Sequence, residues 1–453
     1  MSFRDGFLWG VSTSSYQVEG AAREDGKGLS IWDVFCRKPG AVRDGHTGDV
    51  ACDHYRRYGE DVALARSLGV NAMRFSLSWP RVLPDGVGAV NVAGLDFYER
   101  LVDELLRAGV RPFLALYHWD LPWALHLRGG WLNRDIAEWF ADYARVVVDR
   151  LSDRVTDWIT FVEPAAFLNA GYGSGQHAPG TPVGRRGLLL TSHHVALAHG
   201  RATQVIRRHA RRPPRVSLSH VGACCLPATD RPEDIEAARL ATAGVPGLTD
   251  PMTNAWLLDP IYLGAYPEAD LASYGDDAPA VTDADLREIH QRPDFFALNY
   301  YNARHVRRGD DGRPALVKRD PPPGHRTAFG WTMEPEGLYW LPRFHHARYG
   351  VPIVVTENGM ANLDWPSTDG AVHDPQRIDF HRRHLLALRR AAAEGAPVEG
   401  YFVWSLLDNF EWAEGYHKRF GLVYVDFDTQ LRIPKDSARW YARVAASNGA
   451  ELD

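Results

Sequence analysis

Residues 157–164 read DWITFVEP, and the fold follows from how they are read. Trp158, Ile159, Phe161 and Val162 supply the aromatic and β-branched side chains that strands favour, so the segment opens as a buried strand. Pro164 removes a backbone donor and bars its predecessor from the right-handed helical region. The strand must stop there, with Glu163 at its carboxyl end. Residues 351–359, VPIVVTENG, repeat the design: a β-branched run, then Glu357, then the turn pair Asn358-Gly359. An acidic loop start would explain either glutamate alone. Two of them call for a scaffold that presents carboxylates at the mouths of buried strands.

Outward from these two segments, short apolar runs alternate with amphipathic ones. Strands are expected at 7–16, 72–78, 112–117, 157–161, 215–219, 295–298, 352–356 and 398–404. Helices are expected at about 53–68, 93–108, 135–151, 188–209, 335–349, 375–394 and 435–446, with Gly109 as a C′ glycine and Asn133 or Asp135 as a cap. Strands each followed by a helix imply parallel, right-handed pairing that closes into a (β/α)8 TIM barrel, a single domain over 1–453. Active sites of such barrels lie at the carboxyl ends of the strands, where pattern already puts Glu163 and Glu357. Segments 20–52, 221–294 and 302–330 are Gly-, Pro- and Asp-rich and too long for simple connections, so they are expected as irregular loops walling a pocket. No repeat, low-complexity tract or linker interrupts the chain.

Composition narrows the function. The chain has 453 residues, 45% apolar, with a formal net charge of −6 and no long run of like charges, which argues against nucleic acid or an anionic membrane as partner. Arg207, Arg208, His209, Arg211, Arg212 and Arg215 cluster at a predicted helix end, where cations complement the dipole. Four scattered cysteines make neither a disulfide framework nor a zinc motif. With Arg4 and Asp5 where a signal peptide needs apolar residues, and no membrane-length apolar run, a soluble cytoplasmic chain is expected. No HExxH, P-loop or GxGxxG is present; GYGSG at 171–175 reads as a connection, and the histidine pairs 193–194 and 345–346 lack the spacing of a metal site. No metal or cofactor is therefore expected. The 15 Trp and 18 Tyr suit flat contacts with sugar rings, or a large core.

Two carboxyl groups facing each other across a barrel mouth are what retaining glycosidases use, one attacking and the other moving a proton. The chain resembles glycoside hydrolase family 1, the β-glucosidase family, from FLWGVSTSSYQVEGA near its start to WSLLDNFEWAEGY and KRFGLVYVD near its end. The resemblance implies a retaining β-glycosidase that acts on non-reducing-end β-D-glycosides through a covalent glycosyl-enzyme. Glu357 in TENG would be the nucleophile and Glu163 the acid/base, with Arg74 at the end of the second strand and Tyr301 after the sixth as partners of the nucleophile. Gln17, His118 in HWDLP, Asn299 in LNYY, Glu411 and Trp412 in FEW would bond ring hydroxyls. Trp404 would be the stacking platform and Trp331 the tryptophan on the aglycone side.

The resemblance leaves neighbouring functions to weigh. A sugar-binding barrel without activity would be expected to lose one of the two glutamates. A phosphosugar hydrolase would replace Glu411, which repels phosphate. Transglycosylation uses the same covalent intermediate, with an alcohol in place of water. One departure stands out: the family carries asparagine before the acid/base, a donor to the sugar 2-hydroxyl, and this chain carries Val162. The change is either a tolerated one or the mark of a sugar altered at carbon 2.

Overall fold

Eight parallel strands close into a barrel: β1 (Leu8–Ser12), β2 (Ala72–Ser76), β3 (Arg111–Tyr117), β4 (Asp157–Val162), β5 (Arg215–His220), β6 (Phe296–Tyr300), β7 (Ile353–Asn358) and β8 (Val398–Trp404). Each pairs with its neighbours in sequence, and β8 closes on β1. The computed structural model describes residues 2–249, 251–319 and 325–452. Helices His54–Ser67, Val92–Arg107, Ile136–Leu151, Gly184–His209, Gly337–Tyr349, Pro375–Ala393 and Asp436–Ala446 cover the outside. The strands are thus buried on both faces, which is why they read as continuous apolar runs.

Inside the barrel, Leu8, Phe113, Ala115, Ile159, Val354 and Phe402 belong to one packed layer. Its filling dictates glycine on β1: a Cβ at Gly10 would lie 2.3 Å from the Phe402 ring. The helix Val92–Arg107 is followed by Ala108 as its cap and Gly109, whose φ of +74° is the left-handed value a C′ glycine supplies. Asn133, rather than Asp135, provides the local cap, its Oδ1 accepting from the Asp135 N–H at 2.9 Å.

Several expected boundaries shift. The first strand is shorter than 7–16, because Ser15–Val18 winds into a helical turn that carries Gln17. The sixth strand runs to Tyr300 and the seventh to Asn358, so Asn299 and Glu357 are strand residues rather than loop residues. Arg74 is the middle residue of β2, not its end. Segment 221–294 is not irregular: it holds a strand, Cys225–Pro227, and helices Pro232–Ala243, Asn254–Tyr262, Glu268–Tyr274 and Asp283–Ile289. Local chemistry starts them, with Pro232 at a first turn and Thr253 and Thr282 side chains accepting from backbone N–H groups three residues on. In 302–330, strands Arg304–Arg308 and Pro314–Val317 pair antiparallel, while 320–324 lie outside the described residues.

A buried charge network anchors the chain after β7 and β8. Lys435 Nζ lies 2.6 Å from Asp364 and 2.7 Å from Asp408, and Arg377 bonds Asp364 at 2.7 Å as well as Asp374. Asp408 also accepts from the Gly421 N–H at 2.8 Å. These contacts fix the segment that carries Trp404, Glu411 and Trp412. Among the described residues, no helix is long and apolar enough to cross a membrane.

Candidate active site

Both glutamate-bearing strands carry an irregularity just before the carboxylate. On β4, Ile159 pairs with Ser217 but Val162 with Ser219, so β4 gains one residue on β5. On β7, Val355 pairs with Leu298 but Glu357 with Asn299, which leaves Thr356 as the extra residue. Such bulges break the two-residue alternation and re-aim the side chains that follow. Glu163 then takes left-handed backbone angles (φ 54°, ψ 62°), which non-glycine residues rarely adopt and which cluster at functional sites. Pro164 directly after it opens the short helix Pro164–Leu168.

The two carboxylates share a cavity of about 810 Å3 but have different surroundings. Glu357 Oε1 lies 2.6 Å from the Arg74 guanidinium, and its Oε2 accepts from the Tyr301 hydroxyl. The Arg74 contact is a close charge contact rather than an aligned hydrogen bond, since the guanidinium nitrogens find no bond of good geometry. Burial and the Glu357 charge keep the Tyr301 phenol well above its ordinary range, so it stays a donor. Among the described residues Glu163 meets no cation at contact distance; its Oε1 accepts from Asn299 Nδ2 at 2.7 Å. Burial, then the charge of Glu357, pushes the Glu163 carboxyl from 4.5 to about 8, against the opposing effects of Asn299 and Arg74. One carboxylate therefore lies against a cation and a phenolic donor, and the other is held protonated near neutrality.

Around them, His118, Asn299, Tyr301, Trp331, Trp404, Glu411 and Trp412 line the same cavity. Burial and the Arg74 charge hold His118 well below its usual range, so it presents a neutral imidazole. Its ring lies 5.9 Å from both Trp404 and Trp412. Trp412 stacks on Trp119 at 4.5 Å, and the Trp119 indole N–H donates to the Val162 carbonyl at 2.8 Å. Trp331 stacks on Phe329 at 4.5 Å on the other side. Burial and the charges of Glu357 and Glu163 raise the Glu411 carboxyl well above its ordinary value.

Three expected site residues lie beneath the cavity instead of lining it. Gln17 is wholly buried and reaches Glu411 (3.3 Å), Asn409 (3.0 Å) and the Phe410 carbonyl (2.9 Å), so it holds Glu411 in place. Arg74 is buried under Glu357 and Trp404, its guanidinium 5.6 Å from the Trp404 ring centre. Val162 packs in the apolar barrel layer with Ile159 and Val354. Sequence reading missed Trp119, His177 and Phe35, which also line the cavity. Trp119 had a signal, being the neighbour of His118 in HWDLP. His177 sits on a loop with no pattern to mark it, whereas Phe35 ends a short helix, Ile31–Phe35, whose Ser30–Asp33 capping box was a start signal.

Among the described residues, one group of side chains has the separation of metal ligands: Asp44, His46 and His417, none of which lines the cavity. His46 Nδ1 accepts from the Tyr416 N–H at 3.2 Å, which leaves the ring proton on Nε2, and His417 Nε2 is taken up by Asp44 at 2.5 Å. Asp44 and His417 thus engage each other, and His46 Nδ1 is taken by the backbone. Residues 171–174 belong to a wide helical turn, Asn169–Ser174, which Gly175 caps.

Residues 1–450 match the family described as Glycosyl hydrolase family 1. β-Glucosidase A of Thermotoga maritima is 47% identical over 456 residues, with 99% of each chain covered. The 1,4-β-D-glucan glucohydrolase of Thermotoga neapolitana is 45% identical over 454 residues, again with 99% of each covered. A solved structure of the Thermotoga maritima β-glucosidase in complex with castanospermine superposes with a TM-score of 0.91 at 46% identity, covering 99% of both chains. The chain belongs to glycosyl hydrolase family 1, and it is a retaining β-glycosidase of the β-glucosidase type that hydrolyses O-glycosidic bonds.

Proposed function

We propose that Glu357 is the nucleophile and Glu163 the acid/base of this hydrolysis, acting on β-D-glucosides at their non-reducing end. The observation that carries the assignment is the asymmetry of the pair: Arg74 and Tyr301 surround Glu357, while Glu163 is pushed to about 8. In the first step the Glu357 carboxylate attacks the anomeric carbon while Glu163 protonates the departing oxygen. In the second, Glu163 takes a proton from water, which displaces Glu357 and restores the β configuration. Each inversion lowers the barrel's task to stabilising one planar, cationic transition state between two carboxylates.

His118, Asn299, Glu411 and Trp412 bond the ring hydroxyls in this reading, with Trp404 beneath the sugar and Trp331 beside the aglycone. Gln17 acts through Glu411, and Val162 through the packing under the sugar. The glucosyl preference is supported by the names of the relatives, a β-glucosidase and a glucan glucohydrolase. The whole chain works as one catalytic domain, and its working place is the cytoplasm, where its four buried thiols stay reduced. Glu357→Gly turned over on 2,4-dinitrophenyl β-glucoside with azide tests the proposal: the α-glucosyl azide should form. A β-glucosyl azide from this variant would overturn it.

A further inference from the structure

The groups behind Glu163 form a lock whose parts come from three strands. Asn299 Oδ1, on β6, accepts from Ser219 Oγ of β5 at 2.7 Å and from Thr356 Oγ1 of β7 at 2.7 Å. The two hydroxyls lie 3.0 Å apart, and all three residues are buried. Asn299 Nδ2 points the other way, to Glu163 Oε1 at 2.7 Å. Thr356 is available for this contact because it is the extra residue of the β7 bulge, and the Ser12 hydroxyl pins its carbonyl at 2.8 Å. With the amide turned over, both hydroxyls would have to accept from the amide nitrogen. Among the described residues their other hydrogen-bond partner is each other, so one hydroxyl proton would be stranded in a buried site.

We propose that Ser219 and Thr356 are positioning residues which, by fixing the Asn299 amide, select the oxygen of Glu163 that carries the acid proton. This rests on the reading of Glu163 as acid/base. A neutral carboxyl group has one accepting oxygen and one hydroxyl oxygen. The Asn299 N–H takes Oε1 as the acceptor, so the proton sits on Oε2. In the first step the Oε2–H bond breaks and its proton goes to the glycosidic oxygen. That oxygen keeps the electron pair of the broken bond to the anomeric carbon, while a Glu357 oxygen forms the new one. In the second step a water oxygen bonds the anomeric carbon as the Glu357 bond breaks, and the released proton returns to Oε2. Glu357, Glu411 and Tyr301 face Glu163 from β7 and the loops after β8 and β6, and Arg74 faces it from β2. His118, His177 and His220 line the same cavity, and burial holds each of them neutral. The Asn299 donation opposes the upward push of burial and of Glu357 on Glu163.

The test is the double variant Ser219→Ala with Thr356→Val, compared with Thr356→Ser as the conservative control. In the double variant, kcat/KM on methyl β-glucoside, whose leaving group needs a proton, should fall about tenfold, the loss expected for a misplaced charge-assisted bond. On 2,4-dinitrophenyl β-glucoside it should change less than about twofold, and the alkaline limb of the pH profile should move upward by about half a unit. Thr356→Ser should restore both. Equal losses on both substrates with an unmoved alkaline limb would overturn the proposal, since mere loosening of the site does that. If the double variant does not fold, Ser219→Ala alone decides, with about a threefold loss confined to the methyl glucoside. Glu163→Ala measured alongside separates the two readings. If it removes the alkaline limb while the double variant leaves limb and substrate ratio unchanged, the lock fails and the acid/base assignment stands. An alkaline limb that persists in Glu163→Ala fails the assignment itself.

Discussion

Glu163→Gln should make the protein more stable in alkali than the wild type, although it removes the proposed acid/base. In the folded chain the Glu163 carboxyl is raised from 4.5 to about 8, so between these values the folded state holds a proton that the unfolded state has lost. Stability therefore falls as pH rises through that window, and below about pH 4.5 the residue has no such effect. The rise corresponds to roughly 5 kcal/mol at about 1.4 kcal/mol per unit, and sharing of the cost with Glu357 brings the expected gain to about 3–5 kcal/mol. Glutamine keeps the shape, stays neutral and still accepts from Asn299 Nδ2. At about 2.1 cal/mol/K per residue, a chain of 453 residues gains about 1 °C in Tm per kcal/mol. Scanning calorimetry at pH 5 and pH 9 reads it: a difference of about 1 °C or less at pH 5, and a variant about 3–5 °C more stable at pH 9. Equal shifts at both pH values, or a variant less stable at pH 9, would refute the reasoning.

Other outcomes follow from the same contacts. Glu163→Ala should flatten the alkaline limb of kcat/KM with an activated aryl glucoside, which leaves without a proton; steady-state rates from pH 5 to 10 check it. Lys435→Met should cost about 3–5 kcal/mol in urea unfolding, because Asp364 and Asp408 lose their shared buried cation. A loss under about 1 kcal/mol would show that water or Arg377 compensates. Val162→Asn puts an amide into the apolar layer beneath the cavity, so kcat/KM on an aryl glucoside and on the matching 2-deoxyglucoside should change in proportion. A rise of about tenfold or more on the glucoside alone would mean that the position reads carbon 2.

Much of this molecule was legible from periodicity and a few punctuating residues. The two-residue and 3.6-residue patterns located all eight strands, and Pro164 and Asn358-Gly359 placed both glutamates near strand ends. What pattern missed was finer than its grain. The bulges on β4 and β7 add one residue each and leave no trace in composition, yet they aim Glu163 and Glu357 and free Thr356. Ser219 and Thr356 read as ordinary strand residues, because nothing local marks a hydroxyl that meets an amide from another strand. The helices within 221–294 were hidden by their brevity and by the Gly and Pro between them, though Pro232 before Glu233 and Asp234 was a start signal. Gln17, Arg74 and Val162 were placed in the site by motif, and tertiary packing sets each of them one layer below the cavity.

The central claim is that Glu357, and not Glu163, forms the covalent bond to the sugar. A 2-deoxy-2-fluoro-β-glucoside with a good leaving group slows both steps, the second more, so the glycosyl-enzyme accumulates. Peptide mass spectrometry after acid quench should then find one fluoroglucosyl group per chain, on the peptide carrying Glu357. The label on Glu163, or none on any carboxylate while turnover of the ordinary glucoside proceeds, would contradict the account.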